Sequence, residues 1–292
     1  NDERIFKSYF LDTKGVVNKS GFSKIFSLVN ILKKMFFCLS VFSKYRIKKV
    51  ISVGGFSAAP ATFASIIKFG CKLYIHEQNS KMGKLNEISS KFATKVFSSF
   101  HDFSPIKDYP VSKEFFNEAR IREEVKTVGF FGGSQGAVKI NDFALEIAPR
   151  LNELGIRIIH QAGKYDYERV KAKYDELGIQ ADVFDFTKEF MSKMKETDFA
   201  VSRAGASTLW EMTANALPAF FIPYKYAASN HQYYNAKKLV DEGLGFVCEE
   251  KYLNEEMFFK ALDSDIKTIS ERLATYLAPS GAKQIVEFIQ KN

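Results

Sequence analysis

Short apolar segments alternate with longer amphipathic segments along most of this chain. Residues 50–53, 72–76 and 95–98 are short apolar runs, which predict buried strands. Residues 58–68 and 85–92 lie between them and have the spacing of helices. Strands that alternate with helices predict a parallel sheet covered on both faces.

The same rhythm begins again after residue 122. The predicted strands of this second series cover residues 125–131, 156–160, 181–185, 199–201, 219–222 and 245–248. Its predicted helices cover residues 137–154, 165–177, 189–196, 206–216 and 231–242. Two such series predict an α/β protein with two Rossmann-like domains that face a cleft, and ligands bind at the carboxyl ends of such strands.

The loss of rhythm near residue 110 suggests the domain boundaries. We expect an N-terminal domain at 1–110, a linker at 111–122, a second domain at 123–280 and a C-terminal helix at 281–292. A return of that helix to the first domain is one option. The first domain is expected to be incomplete at its start, because the chain opens at Asn1 without a methionine, a strand or a glycine-rich turn.

Composition is that of a globular protein: 46% of the 292 residues are hydrophobic and 26% are charged. The net charge of +8 permits binding to anionic lipid, nucleic acid or phosphorylated substrates. Three widely spaced cysteines argue against a disulfide framework and favour a reducing cytoplasm. No uncharged apolar run reaches the roughly 18 residues of a spanning helix.

The strongest motif is the loop Gly132-Gly133-Ser134-Gln135-Gly136, between a predicted strand and a long predicted helix. Glycines allow a tight turn and a close approach to phosphate, and the helix N-terminus favours an anion. The alternative is a turn with only a packing role. A dinucleotide dehydrogenase fits poorly, because the spacing is not G-x-G-x-x-G and His160-Gln161 ends the next strand where an acid belongs.

A second loop of small residues also follows a strand. Gly205 and Ala206 open a predicted helix, and Glu211 lies about one and a half turns into it. The amides there suit a diphosphate, and the Glu211 carboxylate can accept hydrogen bonds from both ribose hydroxyls of a nucleotide. The alternative for Glu211 is an ordinary solvated helix residue.

Three further polar clusters lie where a cleft is expected. They are His76-Glu77-Gln78-Asn79, Gly54-Gly55-Phe56-Ser57 and Asn230-His231-Gln232-Tyr233-Tyr234-Asn235. For His76 alone, a structural role in the core is an equal alternative.

Together these five blocks, in this order and spacing, resemble the MurG family of bacterial N-acetylglucosaminyl transferases. The resemblance runs from about Gly15 onward. It implies a two-domain glycosyltransferase fold of the B type, whose C-terminal domain binds UDP-N-acetylglucosamine. By this resemblance, the donor contacts the glycine-rich loop at Gly133, Ser134, Gln135 and Gly136, and its uracil contacts the loop with Thr187 and Phe190. The diphosphate and ribose of the donor would contact Gly205, Ala206 and Glu211. The sugar would contact Gln232.

The resemblance also implies an acceptor side. Gly54, Gly55, Phe56 and Asn79 would bind lipid I, which carries an undecaprenyl chain, and His76 and Glu77 are the candidates for the catalytic base. Inverting transfer to the 4-hydroxyl of the muramyl sugar would give lipid II in peptidoglycan synthesis. Helix N-termini would stabilise departing UDP, so we expect neither a metal nor a cofactor.

The first predicted helix supports a membrane role. Apolar residues keep helical spacing and lysines flank them, as expected of a helix that lies on an anionic membrane surface. A helix that faces the core is the alternative, and the resemblance favours the peripheral location at the cytoplasmic face of the cell membrane. The predicted patch comprises Phe22, Ile25, Phe26, Val29, Leu32, Lys33, Lys34 and Phe36.

Three departures from the family pattern stand out. The glycine-rich loop and histidine expected about forty residues before Asn1 are not in this sequence. His231 stands where a second glutamine is expected, and Ser112 replaces an arginine that faces phosphate, with Lys113 beside it.

Two other functions stay open from the sequence. One is a UDP-N-acetylglucosamine 2-epimerase, and the other is a catalytically inactive nucleotide-sugar-binding protein. A nucleic-acid-binding module is disfavoured because no strand platform of aromatic and basic residues appears.

Overall fold

The computed structural model of the chain describes residues 6–13, 22–187 and 189–292, and the side chains of residues 22–24 lie outside that description. It divides into two compact units. The first comprises the described residues up to Gln78, together with Met82–Ile106 and Ile285–Asn292. The second comprises Asn79–Lys81 and Lys107–Gln284. Each unit contains its own parallel sheet, as the alternation of segments predicted.

The first unit has a three-stranded sheet in the order β1-β2-β3. All pairs are parallel, and Lys49 lies opposite Lys72 where β1 and β2 begin. Its elements are α1 (Phe22–Lys44), β1 (Lys49–Ser52), α2 (Ala59–Ile67), β2 (Lys72–His76), α3 (Lys84–Ser89) and β3 (Lys95–Phe97).

Helix α1 is longer than the predicted segment, which ended at Phe36, because its apolar spacing continues to Lys44. Met35 and Cys38 are buried against Ala64 of α2, so one face of α1 is packed. By length and composition alone, Ile25–Lys44 is long and apolar enough to cross a membrane, and 22% of its apolar window is buried. Lys33 and Lys34 interrupt the uncharged run, so the sequence pattern predicted no spanning helix.

The second unit is built around a six-stranded parallel sheet in the order β6-β5-β4-β7-β8-β9. Its strands are β4 (Thr127–Phe131), β5 (Arg157–Gln161), β6 (Ala181–Phe184), β7 (Phe199–Ser202), β8 (Ala219–Phe221) and β9 (Phe246–Val247). Its helices are α4 (Lys113–Asn117), α5 (Val138–Glu153), α6 (Tyr167–Glu176), α7 (Phe190–Glu196), α8 (Ala206–Ala214), α9 (His231–Asp241), α10 (Glu255–Leu262) and α11 (Ile266–Ala274). The last helix, α12 (Gly281–Lys291), begins in this unit and continues in the first.

The core of the second unit lies between the sheet and its helices. All five residues of β4 are buried, as expected of the central strand of a parallel sheet. Phe258 of α10 contacts the rings of Phe143, Phe199 and Phe220 from three other elements. This packing fixes the carboxyl ends of β4, β5 and β7, where the predicted ligand loops begin.

The residues predicted as a linker, 111–122, belong to the second unit. The reason is Arg122, which is fully buried and donates hydrogen bonds to the carbonyl oxygens of Thr197 and Met194, each at 3.1 Å. It also donates to the Asn215 side-chain oxygen at 2.7 Å, and burial lowers the pKa of its guanidinium to about 9. A charged residue in a polar stretch gave no sign of this burial.

Candidate active site

The glycine-rich loop after β4 packs directly against the loop after β5. Gly136 has φ +86°, and a Cβ on it would lie 2.4 Å from the carbonyl oxygen of Ala162. A Cβ on Gly163 would lie 2.0 Å from the backbone nitrogen of Gly136. The Lys164 N–H also donates to the Ser134 carbonyl at 3.0 Å. Only glycine fits where the two backbones meet, so this contact fixes the predicted phosphate loop.

A buried polar network supports the loop after β5. The side chain of Asn141 donates to the Ala162 carbonyl at 3.0 Å and to Asp166 Oδ2 at 2.7 Å. His160 lies beside it, with Nε2 3.0 Å from Asn141 Oδ1 and Nδ1 3.0 Å from the Tyr174 hydroxyl. Burial lowers the pKa of His160 to about 3, so its ring is neutral and its role here is structural.

A pocket of about 290 Å³ opens at the carboxyl ends of these strands. It brings together four residues of the predicted donor site, Gly133, Ser134, Thr187 and Phe190. Among the remaining lining residues, Phe131, Gly132, Ser202, Arg203 and Thr208 lie within or beside the two predicted phosphate loops, whereas Gln161 and Phe186 were not predicted as site residues. Gln135, Gly136, Gly205, Ala206, Glu211 and Gln232 do not line it.

Aromatic rings form one wall of the pocket. Phe131 and Phe190 meet edge to face, with ring centroids 5.1 Å apart. Phe186 also lines the pocket and leaves 57% of its surface exposed. A pocket that combines aromatic walls with polar side chains is typical of a site for a flat organic ligand.

The N-terminus of α8 is available to an anion. Gly205 precedes the helix in an extended conformation, and no described side chain caps it. Thr208 of its first turn lines the pocket, and Glu211 follows three residues later on the same face. Burial raises the pKa of the Glu211 carboxyl.

Arg203 connects this helix to the loop that contacts Gln232 of α9. Its guanidinium lies 2.7 Å from Glu250 and donates to the carbonyl oxygens of Ile222 and Pro223 at 3.0 and 3.2 Å. The next residue, Tyr224, donates its N–H to Gln232 Oε1 at 2.9 Å. The Gln232 side chain is therefore oriented by a loop that Arg203 holds.

Asn79 lies with the second unit, although it was predicted on the acceptor side. Its side-chain oxygen accepts a hydrogen bond from Asn235 Nδ2 at 3.1 Å. Asn235 also donates to the Ala204 carbonyl and accepts from the Ser80 N–H, at 3.1 and 2.8 Å. Asn235 is fully buried, so it joins Asn79 and Ser80 to the loop that precedes Gly205.

The turn before α9 has a strained backbone. Ser229 and Asn230 both have positive φ, at 54° and 53°. His231 stands at the first position of the helix, where its Nδ1 lies 2.8 Å from the Ala228 carbonyl oxygen. The histidine that replaces the expected glutamine therefore contributes to this turn.

In the first unit, the Gly54-Gly55 loop is held by side chains. Gly54 has φ +81°, and a Cβ there would lie 2.7 Å from Asn86 Nδ2. Asn86 donates to Glu77 Oε2 at 2.8 Å, and Gly83 N–H donates to the same oxygen at 3.1 Å. Glu77 is buried and its carboxylate supports α3. His76 is also buried, and this burial lowers its pKa, so the ring is neutral near pH 7.

The exposed residues of α1 include most of the predicted membrane patch. Phe26 is 74% exposed, and Ile25, Val29, Leu32 and Phe36 are also exposed. The side chain of Phe22 lies outside the described residues. Ile67, the last residue of α2, and Phe69 just after it are also exposed. Between them, Lys68 Nζ lies 3.5 Å from the Ser43 hydroxyl of α1.

Among the described residues, no group of three or more His, Cys, Asp or Glu side chains could hold a metal ion.

Comparison with protein families gives two matches that cover most of the chain. Residues 2–98 match the glycosyltransferase family 28 N-terminal domain, and residues 127–289 match the C-terminal domain of that family.

Known proteins are similar over nearly the full chain. A Campylobacter jejuni (strain RM1221) protein is 50% identical over 98% of this chain and 83% of its own length, and a Wolinella succinogenes protein is 46% identical over 99% and 86%. Both are named UDP-N-acetylglucosamine--N-acetylmuramyl-(pentapeptide) pyrophosphoryl-undecaprenol N-acetylglucosamine transferase.

Solved structures agree on the fold. The crystal structure of Acinetobacter baumannii MurG has a TM-score of 0.78 at 25% identity, over 97% of this chain and 85% of that one. A putative UDP-N-acetylglucosamine 2-epimerase from Listeria monocytogenes has a TM-score of 0.61 at 10% identity, over 94% of this chain and 80% of that one. The second likeness is one of fold alone.

Proposed function

Because this chain belongs to the MurG family of glycosyltransferases, we propose that the pocket of its second unit holds the nucleotide of UDP-N-acetylglucosamine. The family transfers N-acetylglucosamine in lipid II synthesis, which the relatives' names and both domain matches support. The observation that carries the proposal is the convergence of Gly133, Ser134, Thr187 and Phe190 on one pocket. These residues come from the glycine-rich loop and from the segment between β6 and the start of α7, which are separate in sequence.

The diphosphate lies, in this proposal, between the glycine-rich loop and the N-terminus of α8. Neither α5 nor α8 has a described side-chain cap, so the amides at the N-terminus of α8 can donate to phosphate oxygens and the dipoles of both helices favour the anion. Negative charge grows on UDP as the glycosidic bond to it breaks. Amides and helix dipoles aimed at that charge stabilise the transition state more than the ground state.

Glu211 and Gln232 bind the two sugars of the donor. The Glu211 carboxylate accepts hydrogen bonds from the ribose hydroxyls, and Gln232 contacts the hydroxyls of N-acetylglucosamine. The Tyr224 amide holds Gln232 Oε1, which leaves the Gln232 Nε2 group to donate to the sugar.

The acceptor of the reaction is lipid I. Its 4-hydroxyl oxygen attacks the anomeric carbon while the bond from that carbon to UDP breaks, and the hydroxyl proton passes to a base. A neutral imidazole can take that proton, and the lowered pKa of His76 keeps its ring neutral. We assign His76 as the base and give Glu77 a positioning role, because its carboxylate already accepts hydrogen bonds from Gly83 and Asn86. Gly54, Gly55 and Phe56 border the acceptor.

The donor assignment is tested by titration calorimetry with UDP-N-acetylglucosamine. Glu211→Gln should weaken binding about tenfold, since a hydrogen bond to a charged group is worth about 1.5–3 kcal/mol. Glu256→Gln, an exposed acid on α10, is the matched control and should bind as the wild type does. Equal affinity of all three proteins would refute the donor assignment.

We further propose that the exposed face of α1 lies on the anionic inner leaflet of the cell membrane. Because the opposite face packs on α2, lipid cannot surround this helix, which supports a peripheral location. Lys33 and Lys34 each add about 1 kcal/mol of attraction to anionic lipid.

Vesicle sedimentation tests this membrane proposal. Vesicles with phosphatidylglycerol should bind the protein, and Phe26→Ser with Lys33→Ser and Lys34→Ser should reduce that binding at least tenfold. Leu154→Ser, an exposed apolar residue of the second unit, is the control. Unchanged binding of the triple variant would contradict the assignment of α1.

A further inference from the structure

Gln161 occupies a distinctive position at the bottom of the pocket. It is the last residue of β5, paired in register with Phe131 of β4 and with Phe184 of β6. Residues 185–187, which include Thr187, follow directly from β6. Gln161 is only 6% exposed and lines the pocket. Its side chain is therefore buried between the start of the glycine-rich loop and the start of the Thr187 loop.

The carboxamide of Gln161 makes no hydrogen bond with any described residue, whereas its backbone is part of the sheet and its carbonyl accepts from the Gly132 N–H at 3.2 Å. The polar side chains around it behave differently. Both ring nitrogens of His160 and both polar atoms of Asn141 have partners, and the Ser202 hydroxyl donates to the Phe131 carbonyl at 3.2 Å. Because Gln161 lines the pocket and its carboxamide has no described protein partner, a ligand in the pocket can complete its hydrogen bonds.

The surroundings of this amide identify the chemistry of that ligand. Phe131, Phe186 and Phe190 give the pocket apolar walls, and Arg203, the cationic residue among its lining, is already paired with Glu250. A carboxamide offers one acceptor and two donor hydrogens in a plane. Its natural complement is a flat heteroaromatic ring with alternating donors and acceptors on its edge.

The sheet order separates this amide from the other parts of the nucleotide. Gln161 lies on β5, whereas Gly205 and Glu211 follow β7, and β4 lies between these two strands. With the diphosphate and ribose at α8, the base is the part of the ligand on the β5 and β6 side.

We propose that the Gln161 carboxamide hydrogen-bonds the polar edge of uracil and selects the base of the donor. This inference rests on the proposed donor site. The Gln161 amide completes its hydrogen bonds only with the correct base. When the edge of the base is altered, the amide is left unpaired, and sites of this kind discriminate strongly against the altered ligand.

The test compares UDP with UDP methylated at N3 of uracil, by titration calorimetry, in the wild type and in Gln161→Met. Methionine keeps the length of the side chain and removes its hydrogen-bonding atoms. The wild type should bind the methylated ligand at least about tenfold more weakly, and Gln161→Met should reduce this ratio to about threefold or less. The melting temperature of Gln161→Met should not fall, because no protein partner is lost.

An unchanged ratio between the two ligands in Gln161→Met would overturn the proposal, whatever the effect on UDP itself. If the melting temperature also falls, Gln161 has a purely structural role.

The variant Glu211→Gln distinguishes a failure of the proposed donor site from a failure of the proposed role of Gln161. It should weaken both ligands equally and leave their ratio unchanged, because both contain the same ribose. If it does so while Gln161→Met leaves the ratio unchanged, the donor site stands and the role of Gln161 is rejected. If Glu211→Gln binds UDP as the wild type does, the donor site itself is misplaced.

Discussion

The two glycine-rich loops, one in each unit, are held in place by different means. The loop with Gly136 lies against the backbone of Ala162 and Gly163, where any Cβ would collide with main-chain atoms. The loop with Gly54 lies against the side chain of Asn86, which a buried Glu77 holds. A backbone contact cannot adjust, whereas a side-chain contact can. We therefore expect the second unit to tolerate change at its loop less than the first unit does.

The largest expected effect is that of Gly163→Ala. The new Cβ would lie 2.0 Å from the Gly136 nitrogen at a residue with φ +80°, so we expect a loss of more than about 3 kcal/mol in the free energy of unfolding. UDP binding should be lost as well. Chemical denaturation and calorimetry measure the two effects.

Gly178→Ala is the matched control for this change. Gly178 also has positive φ, at +66°, but nothing lies within 4 Å of its Cβ position. If the two variants lose equal stability, the close approach of the two loops is not what matters.

Asn86→Ala should have the next largest effect. It leaves Glu77 Oε2 with one hydrogen bond fewer in a buried site, which costs about 2 kcal/mol of unfolding free energy. Because Asn86 belongs to the first unit, the affinity for UDP should stay within about twofold of the wild type. A loss of UDP affinity comparable to that of Gly163→Ala would remove the distinction between the two loops.

The pH dependence of UDP binding should show a smaller effect. Burial raises the pKa of Glu211, and the ribose hydroxyls donate to its charged form. Affinity for UDP should therefore fall about tenfold on acidification through this raised pKa. Glu211→Gln should remove that dependence in a calorimetric pH series, and a persistent fall in the variant would assign it to another group.

The raised pKa of Glu211 also makes the stability of the fold depend on pH. The folded protein holds the Glu211 proton to higher pH than the unfolded chain does. The contribution of this group to the free energy of unfolding therefore falls as the pH rises from the ordinary glutamate pKa of about 4.3 through the raised value.

The smallest effect is expected for Gly55→Ala. Gly55 has φ +77° and nothing within 4 Å of its Cβ position, so only the backbone preference is lost, about 1 kcal/mol. Thermal unfolding should register this small decrease. A loss as large as that of Gly163→Ala would indicate a packing role for Gly55 as well.

Local patterns in the sequence predicted much of this fold. The strand at residues 72–76 begins and ends as predicted, because apolar residues and flanking turns mark both ends. The glycine-rich loops and the position of Glu211 in the helix after Gly205 were predicted because glycine and helix starts leave clear local signals. The continuation of α1 to Lys44 and the two helices α10 and α11 were not predicted.

Tertiary contacts explain what the sequence did not reveal. Arg122 is buried because carbonyl oxygens from distant segments converge on it, and no local pattern encodes that convergence. Gln161 reaches the pocket only through the sheet order. Asn235 acquires its role from Asn79, which is distant in the chain.

A crystal structure of the protein with UDP would test the central claim most directly. The account predicts uracil beside Phe190 with its edge at Gln161, the diphosphate at the Ser134 loop and the α8 N-terminus, and the ribose hydroxyls at Glu211. Density for UDP at any other place in the second unit, or in the first unit, would contradict it.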